Sequence, residues 1–194
     1  MGEIVSHQDK VFTNVNYAEN VLRDREFINC SFLNCDFSDS DLRDNSFEDC
    51  SFEACNFSMV KLDGTGLSNS KFKACKVLGV DFSRCNPFMY SFDFDACNLD
   101  YSVFYGLKLK STRFENCSMK EVDFSNADLA NSTFENSDLS GATFVNSNLE
   151  KVNFKTARNF GIDPEQNKLK KAKFALTNLS GLLLKYQLDI DHKA

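Results

Sequence analysis

A large apolar side chain recurs at every fifth position for most of this chain. Counted from Phe12, the positions read Phe12, Tyr17, Leu22, Phe27, Phe32, Phe37, Leu42, Phe47, Phe52, Phe57, Leu62, Leu67, Phe72, Val77 and Phe82. Pro87 is the one miss; the count resumes at Phe94 and holds to Phe154. A period of five matches neither the helical period of about 3.6 nor the strand period of about 2, so the chain has to be read as a repeat. Two residues before each large position sits a small one, usually Ala, Cys, Ser, Thr or Val, with Lys10, Asn20, Arg25, Asn45, Phe92 and Leu107 as exceptions. The residues between are mostly Asp, Asn, Ser, Lys, Glu and Arg. One large and one small inward residue in every five describe a chain that turns a corner every five residues.

If four corners close a coil, positions twenty apart stack. Phe12, Phe32, Phe52 and Phe72 then share a column with Phe94, Phe114, Phe134 and Phe154, and Cys35, Cys55, Cys75, Cys97 and Cys117 form another. Both columns need two extra residues before Phe94. We place them near 88–93 and expect a small bulge that keeps the faces in register. At about 4.8 Å per coil, roughly seven coils make a rod on the order of 35 Å long. The expected organisation is an N-terminal cap over 1–11, the repeat over 12–156, and a C-terminal cap and helix over 157–194. Asp163-Pro164 reads as a helix start. Residues 177–188 read as a short amphipathic helix capped by Thr177, a lid over the last coil. Its surplus of apolar residues, Leu179, Leu182, Leu183, Tyr186 and Leu188, marks a homodimer contact.

The units Ala127-Asp128-Leu129, Ser137-Asp138-Leu139, Ser147-Asn148-Leu149 and Val122-Asp123-Phe124 resemble the Ala-(Asp/Asn)-Leu-x-x repeat of the pentapeptide repeat family. The resemblance spans about residues 10–156. It implies an all-β fold, a right-handed quadrilateral (square) β-helix solenoid with four pentapeptides per coil. Ile162-Asp163-Pro164-Glu165-Gln166-Asn167 with its Leu-rich tail, and the segment from Phe92 to Leu99, are similar to members of the microcin-immunity (McbG) type, related to the Qnr and MfpA proteins. That likeness implies a non-catalytic, DNA-mimicking rod that dimerises through its C-terminal segment. Its partner would be DNA gyrase or topoisomerase IV, which it would modulate or protect in the manner of quinolone or toxin resistance. Qnr proteins of Gram-negative bacteria carry protruding loops where this chain has two inserted residues; the MfpA type has none.

Charge fits that partner class without singling it out. The net charge is −6, from 28 acidic and 22 basic residues, which argues against direct nucleic-acid binding. Residues 24–53 are rich in acids, while 155–194 are basic. The candidate partner-binding acids are Asp36 and Asp39 on one face, Asp41 and Asp44 on the next, and Asp93, Asp95, Glu115 and Glu135 on a face interrupted by Arg113 and Lys155. Repeats of this kind carry Asp or Asn at their corners in any case, so a general protein-interaction or scaffolding module with no topoisomerase role stands as the alternative.

The remaining signals are brief. All eight cysteines occupy small inward positions, which points to reduced structural thiols in a reducing, cytoplasmic compartment. There is no Cys-x-x-Cys pair, and His7 and His192 lie in the terminal segments, so no metal site is expected. No nucleophile, base and orienter can be assembled, and no Gly-rich phosphate loop is present; neither catalysis nor a cofactor is expected. No apolar stretch is long enough to span a membrane. Met1-Gly2 with Ser6 matches the short myristoylation pattern.

Overall fold

The five-residue period is a period of backbone conformation. In the computed structural model, which describes residues 4–190, a left-handed residue follows the large apolar one by two positions at nearly every corner. Examples run from Asn14, Glu19 and Asp24 to Asn126, Asn131 and Asn136, with Gly64, Gly79, Gly106 and Gly141 in the same role. Asn, Asp and Gly tolerate this conformation better than other residues, which explains the polar composition between inward positions.

Each corner redirects the chain, and each coil lies on the next in parallel register. Val5–Gln8 pairs with Arg25–Ile28, which pairs with Ser46–Glu48, and that with Gly66–Lys73. Val11–Thr13, Ser31–Leu33 and Ser51–Glu53 form a second ladder that joins the same long strand. That strand pairs with Tyr90–Asp95, which pairs with Phe114–Glu115, and single bridges carry the stack on, ending with Asn148 on Lys168 and Asn153 on Lys173. The product is a square parallel β-solenoid with its side-chain core along the axis.

The phenylalanine column stacks as the sequence requires. Rings twenty apart lie face to face, from Phe12 on Phe32 at 4.8 Å to Phe134 on Phe154 at 5.1 Å. Across the insertion Phe72 stacks on Phe94 at 5.0 Å, so the face is preserved. The extra residues lie between Asn86 and Phe92. Asn86 still donates to the Thr65 carbonyl at the offset kept elsewhere between coils, whereas Leu67 is opposite Tyr90 and Ser70 opposite Phe92. Tyr90 thus takes the slot that counting by fives assigned to Pro87. Phe92, in a small site, packs against Phe82, Phe94 and Phe104, and Phe88 is left 93% exposed.

Three expectations about the ends are corrected. Pairing runs from Val5 to Lys173, so neither the 11/12 nor the 156/157 boundary is where the stack stops. His7 is not in a free terminal segment: it pairs opposite Phe27 and stacks on its ring at 4.9 Å. At the other end Phe174 stacks on Phe154 at 5.3 Å. No α-helix forms at the C-terminus among the described residues. Asp163 accepts from the Glu165 amide and closes a turn only, and the tail forms 3-10 turns at Leu176–Leu182 and Leu184–Tyr186, with Ala175 rather than Thr177 before the first. Thr177, Asn178, Ser180 and Gly181 are weak helix formers, so tertiary contacts decide. The Asn178 amide donates to the carbonyls of Phe154 and Ala157, and a Cβ at Gly181 would come within 2.5 Å of Phe160. Residues 1–3 and 191–194, with the myristoylation pattern and His192, lie outside the described residues.

Candidate functional site

Of the eight acids singled out in the sequence, the solenoid leaves some available and commits others internally. Asp41 is buried and holds two guanidinium groups, with Arg43 at 2.6 Å and Arg23 at 2.9 Å. The Arg43 hydrogen bond and the two nearby cations hold its carboxyl down at about 2. Its charge is committed to these two arginines. Asp36 is half-buried and caps its own turn by accepting from the Ser38 amide and hydroxyl. Burial alone would raise its carboxyl; the Ser38 and Asn56 hydrogen bonds outweigh that and leave it low. Asp93 accepts the Arg113 side chain at 3.0 and 3.1 Å and its backbone amide at 2.9 Å, so its charge is largely spent.

The other candidates face solvent. Asp39 and Asp44 are exposed corner residues, Asp44 3.9 Å from Arg23. Asp95 pairs opposite Glu115, and Asn116 donates its amide to the Glu135 carbonyl in the next coil. Asp95, Glu115 and Glu135 therefore rise as one column on successive coils, spaced by about one interstrand distance. Asp95 accepts from Asn116 Nδ2 at 2.9 Å, and among the described residues none of the three has a cation within ion-pair distance. Coil-to-coil stacking of three carboxylates is visible in the sequence as a twenty-residue spacing; the neutralisation of Asp93 and Asp41 is not.

The cysteines are all free and buried. Cys50, for example, donates to the carbonyls of Phe27 and Glu48, and Cys55 to those of Phe32 and Glu53. Burial pushes the thiols of Cys50 and Cys85 up to about 12. At the C-terminus, Leu179, Leu183, Tyr186 and Leu188 are exposed, joined by Leu176 and Leu184. Leu182 departs from the expected set, since it is half-buried against the core. No helix among the described residues is long and apolar enough to cross a membrane.

Comparison with known proteins agrees with this architecture. The family model for the pentapeptide repeat region matches residues 45–121 and 107–184, and a model of eight pentapeptide repeats matches residues 26–58. Among curated proteins none matches. A trypsin-treated form of QnrB1, a plasmid-mediated fluoroquinolone resistance protein, is 20% identical over 96% of this chain and 100% of its own, with a TM-score of 0.50. A second such form is 23% identical over 96% and 90%, with a TM-score of 0.49. HetL, involved in heterocyst differentiation regulation in the cyanobacterium Nostoc, is 16% identical over 90% and 88%, with a TM-score of 0.32. At these identities the likeness is one of fold. With the matched span covering most of the coils, and the corners and columns built as described, the chain belongs to the pentapeptide repeat family.

Proposed function

We propose that this rod is a non-catalytic, DNA-mimicking protein that binds DNA gyrase or topoisomerase IV and modulates or protects it. The observation that supports this best is the unpaired column of Asp95, Glu115 and Glu135 on consecutive coils. Carboxylates at that spacing substitute for phosphates in a groove lined with Lys and Arg. Such an encounter is steered electrostatically, and it weakens with salt because exposed charges are screened beyond about 8–10 Å near physiological ionic strength. Asp39 and Asp44 add exposed charge nearer the N-terminus; Asp36, Asp41 and Asp93 serve the fold first. The similarity in fold to QnrB1, a fluoroquinolone resistance protein, extends the proposal to drug protection. Buried free thiols fit a reducing, cytoplasmic setting.

The same proposal includes a homodimer. The exposed Leu179, Leu183, Tyr186 and Leu188, with Leu176 and Leu184, form an isologous contact between C-terminal segments, giving a two-fold rod. Deleting residues 177–194 is expected to yield monomers or aggregates by sedimentation. Full-length protein that remains a monomer at high concentration removes the contact.

The deciding experiment is gyrase supercoiling with a quinolone or toxin titration, with and without the protein. The triple variant Asp95→Asn, Glu115→Gln, Glu135→Gln is expected to fold normally and to lose most of the effect. A second reading, a scaffolding module with no topoisomerase role, is favoured by the Asp93–Arg113 pair and by Lys155, which break the acidic face. No change in supercoiling or protection at protein well above micromolar selects it.

A further inference from the structure

Charge along this rod is segregated more sharply than its sum suggests. The last coil gathers cations at one corner. Lys170 and Lys171 form the corner itself, and Lys151 occupies the same corner one coil earlier, its amide donating to the Lys170 carbonyl. Lys168 lies on the face to one side, opposite Asn148, and Lys173 on the face to the other, opposite Asn153. Lys155 ends that second face. All six are exposed, and among the described residues none of them makes an ion pair, in contrast to Lys185, which is held by Asp163 and Glu165. Of the acids nearby, Glu150 adjoins Lys151, Glu135 lies one coil below Lys155, and Asp128 is already engaged by Lys110 at 3.2 Å. The patch therefore carries a surplus of positive charge on a protein whose net charge is −6.

We infer that this lysine corner binds the phosphate backbone of duplex nucleic acid. Shape favours that occupant over an acidic peptide. An extended peptide docks on a sheet edge or in a groove. Here the Lys168 and Lys173 amides are already paired, to the Ser147 and Val152 carbonyls, and the surface is a convex edge. A convex edge with cations on both flanks matches a duplex groove, which is bordered on each side by a row of phosphates. Lysine acts there as a point charge with a flexible reach, so contacts are to phosphate and carry no sequence information. The net negative charge of the chain does not forbid this: the acid-rich first half lies several coils away, where solvent screening weakens it, and of the column Asp95, Glu115 and Glu135 only Glu135 lies one coil from the patch, beneath Lys155.

The test is fluorescence anisotropy of a labelled duplex of random sequence with the full-length protein at about 50 mM salt, repeated at rising salt. With four or five phosphate contacts, affinity is expected to fall by roughly two to three orders of magnitude by about 200 mM, and to be indifferent to sequence. The variant Lys168→Gln, Lys170→Gln, Lys171→Gln, Lys173→Gln is expected to keep its circular dichroism spectrum, lose at least tenfold in affinity and show a shallower salt slope. A control variant in the first half, Lys10→Gln with Lys61→Gln, should bind as the parent does. No binding at low salt overturns the inference, as does binding retained by the quadruple variant. Equal competition by polyglutamate of matched charge also overturns it, and assigns the corner to acidic proteins instead. The assay contains no topoisomerase, so its outcome is independent of the proposed partner.

Discussion

Between Phe27 and Cys75 two of the four corners in each coil lack a turn hydrogen bond, whereas beyond Leu99 most corners have one. In the first half Phe37 accepts from the Ser40 amide and Leu42 from that of Asn45, but no such bond closes the corners ending at Cys30, Cys35, Cys50, Cys55 or Cys75. In the second half Leu99, Phe104, Leu109, Phe124, Leu129, Phe134, Leu139, Leu149 and Phe154 all accept from the residue three ahead. The open corners are where extended strands form and where most of the cysteines sit, although Cys85 donates its amide to Phe82 across a closed one. Each thiol at an open corner donates to two carbonyls, one in its own coil and one in the coil before, as Cys75 does to Lys73 and Phe52, and the own-coil carbonyl also accepts a backbone amide, that of Ala54 for Lys73. Ser137 makes the corresponding bonds in the second half with a hydroxyl, to Phe114 and Glu135. Ser137 does so at a corner that a turn bond closes, so the comparison teaches that the small inward residue adds the same side-chain hydrogen bonds at open and closed corners alike, beyond filling volume.

The largest test asks whether corner type or column carries stability. Phe52→Ala and Phe134→Ala remove fully buried rings from the same column in the two halves. Each is expected to cost about 3–5 kcal/mol by urea denaturation. Equal losses assign stability to the column; a clearly larger loss in one half assigns it to the corners. Because each coil touches only its neighbours, hydrogen exchange should quicken around the altered coil first.

A smaller loss is expected where a charge replaces a turn bond as the fastening. Asp41 fastens Arg23 and Arg43 in the first half, and no buried acid plays that role in the second among the described residues. Asp41→Asn should cost about 1–3 kcal/mol. Its carboxyl is lower folded than unfolded, so its contribution is complete above the ordinary value near 4 and is lost as the pH falls through about 2. An acid limb of unfolding unchanged by Asp41→Asn would contradict this.

The corner chemistry itself is tested by Cys55→Ala and Ser137→Ala. Sulfur is a weak donor, so the serine change should cost about 1 kcal/mol and the cysteine change less in hydrogen bonding, with lost packing added. The elevated Cys50 and Cys85 thiols, at about 12, should be labelled slowly by a thiol reagent at pH 8 in native protein. Several fast sites would show that the open corners breathe.

Much of this was legible in the residues because the repeat is a stacking rule. Phe12 to Phe154 could be placed in one column by counting, and the step from Phe72 to Phe94 could be sized at two extra residues. Counting could not say which residues were extra. That depended on Tyr90, not Pro87, reaching the slot beneath Leu67. Nor could it find the ends. His7 and Phe174 keep the spacing, but a histidine breaks the apolar pattern at one end and the turn at Asp163 breaks the count at the other. The candidate acids could be assigned to faces, yet availability depended on neighbours across coils: Arg113 on Asp93, and both Arg23 and Arg43 on Asp41. Asn45 looked like a fault in the small column. It is instead buried, its amide donating to the Leu22 and Leu42 carbonyls while its oxygen accepts from the Arg25 amide.

The smallest expected effect separates the first coil from all the others. His7 fills a slot that Phe27, Phe47 and Leu67 fill in the coils below. It stacks on Phe27 and meets the edge of Phe12 at 5.7 Å, and its Nδ1 is buried without a partner. Arg25 lies 3.4 Å from its other nitrogen. Burial lowers its affinity for a proton, and the charges of Lys10 and Arg25 lower it further. The neutral ring is therefore the form that fits. With a folded value below the unfolded 6.5, the unfolded chain binds the proton first as the pH falls. The contribution of His7 is complete above about 6.5 and declines below it. Amides of the first coil should thus lose protection in hydrogen exchange between pH 7.5 and 5.5, once intrinsic rates are corrected, while mid-rod amides around Phe114 and Phe134 hold theirs. His7→Phe should abolish the difference, since a phenyl ring fills the same slot with no proton to accept. Equal pH dependence at the first coil and mid-rod, or a first-coil loss that survives His7→Phe, would place the sensitivity elsewhere and leave His7 as packing alone.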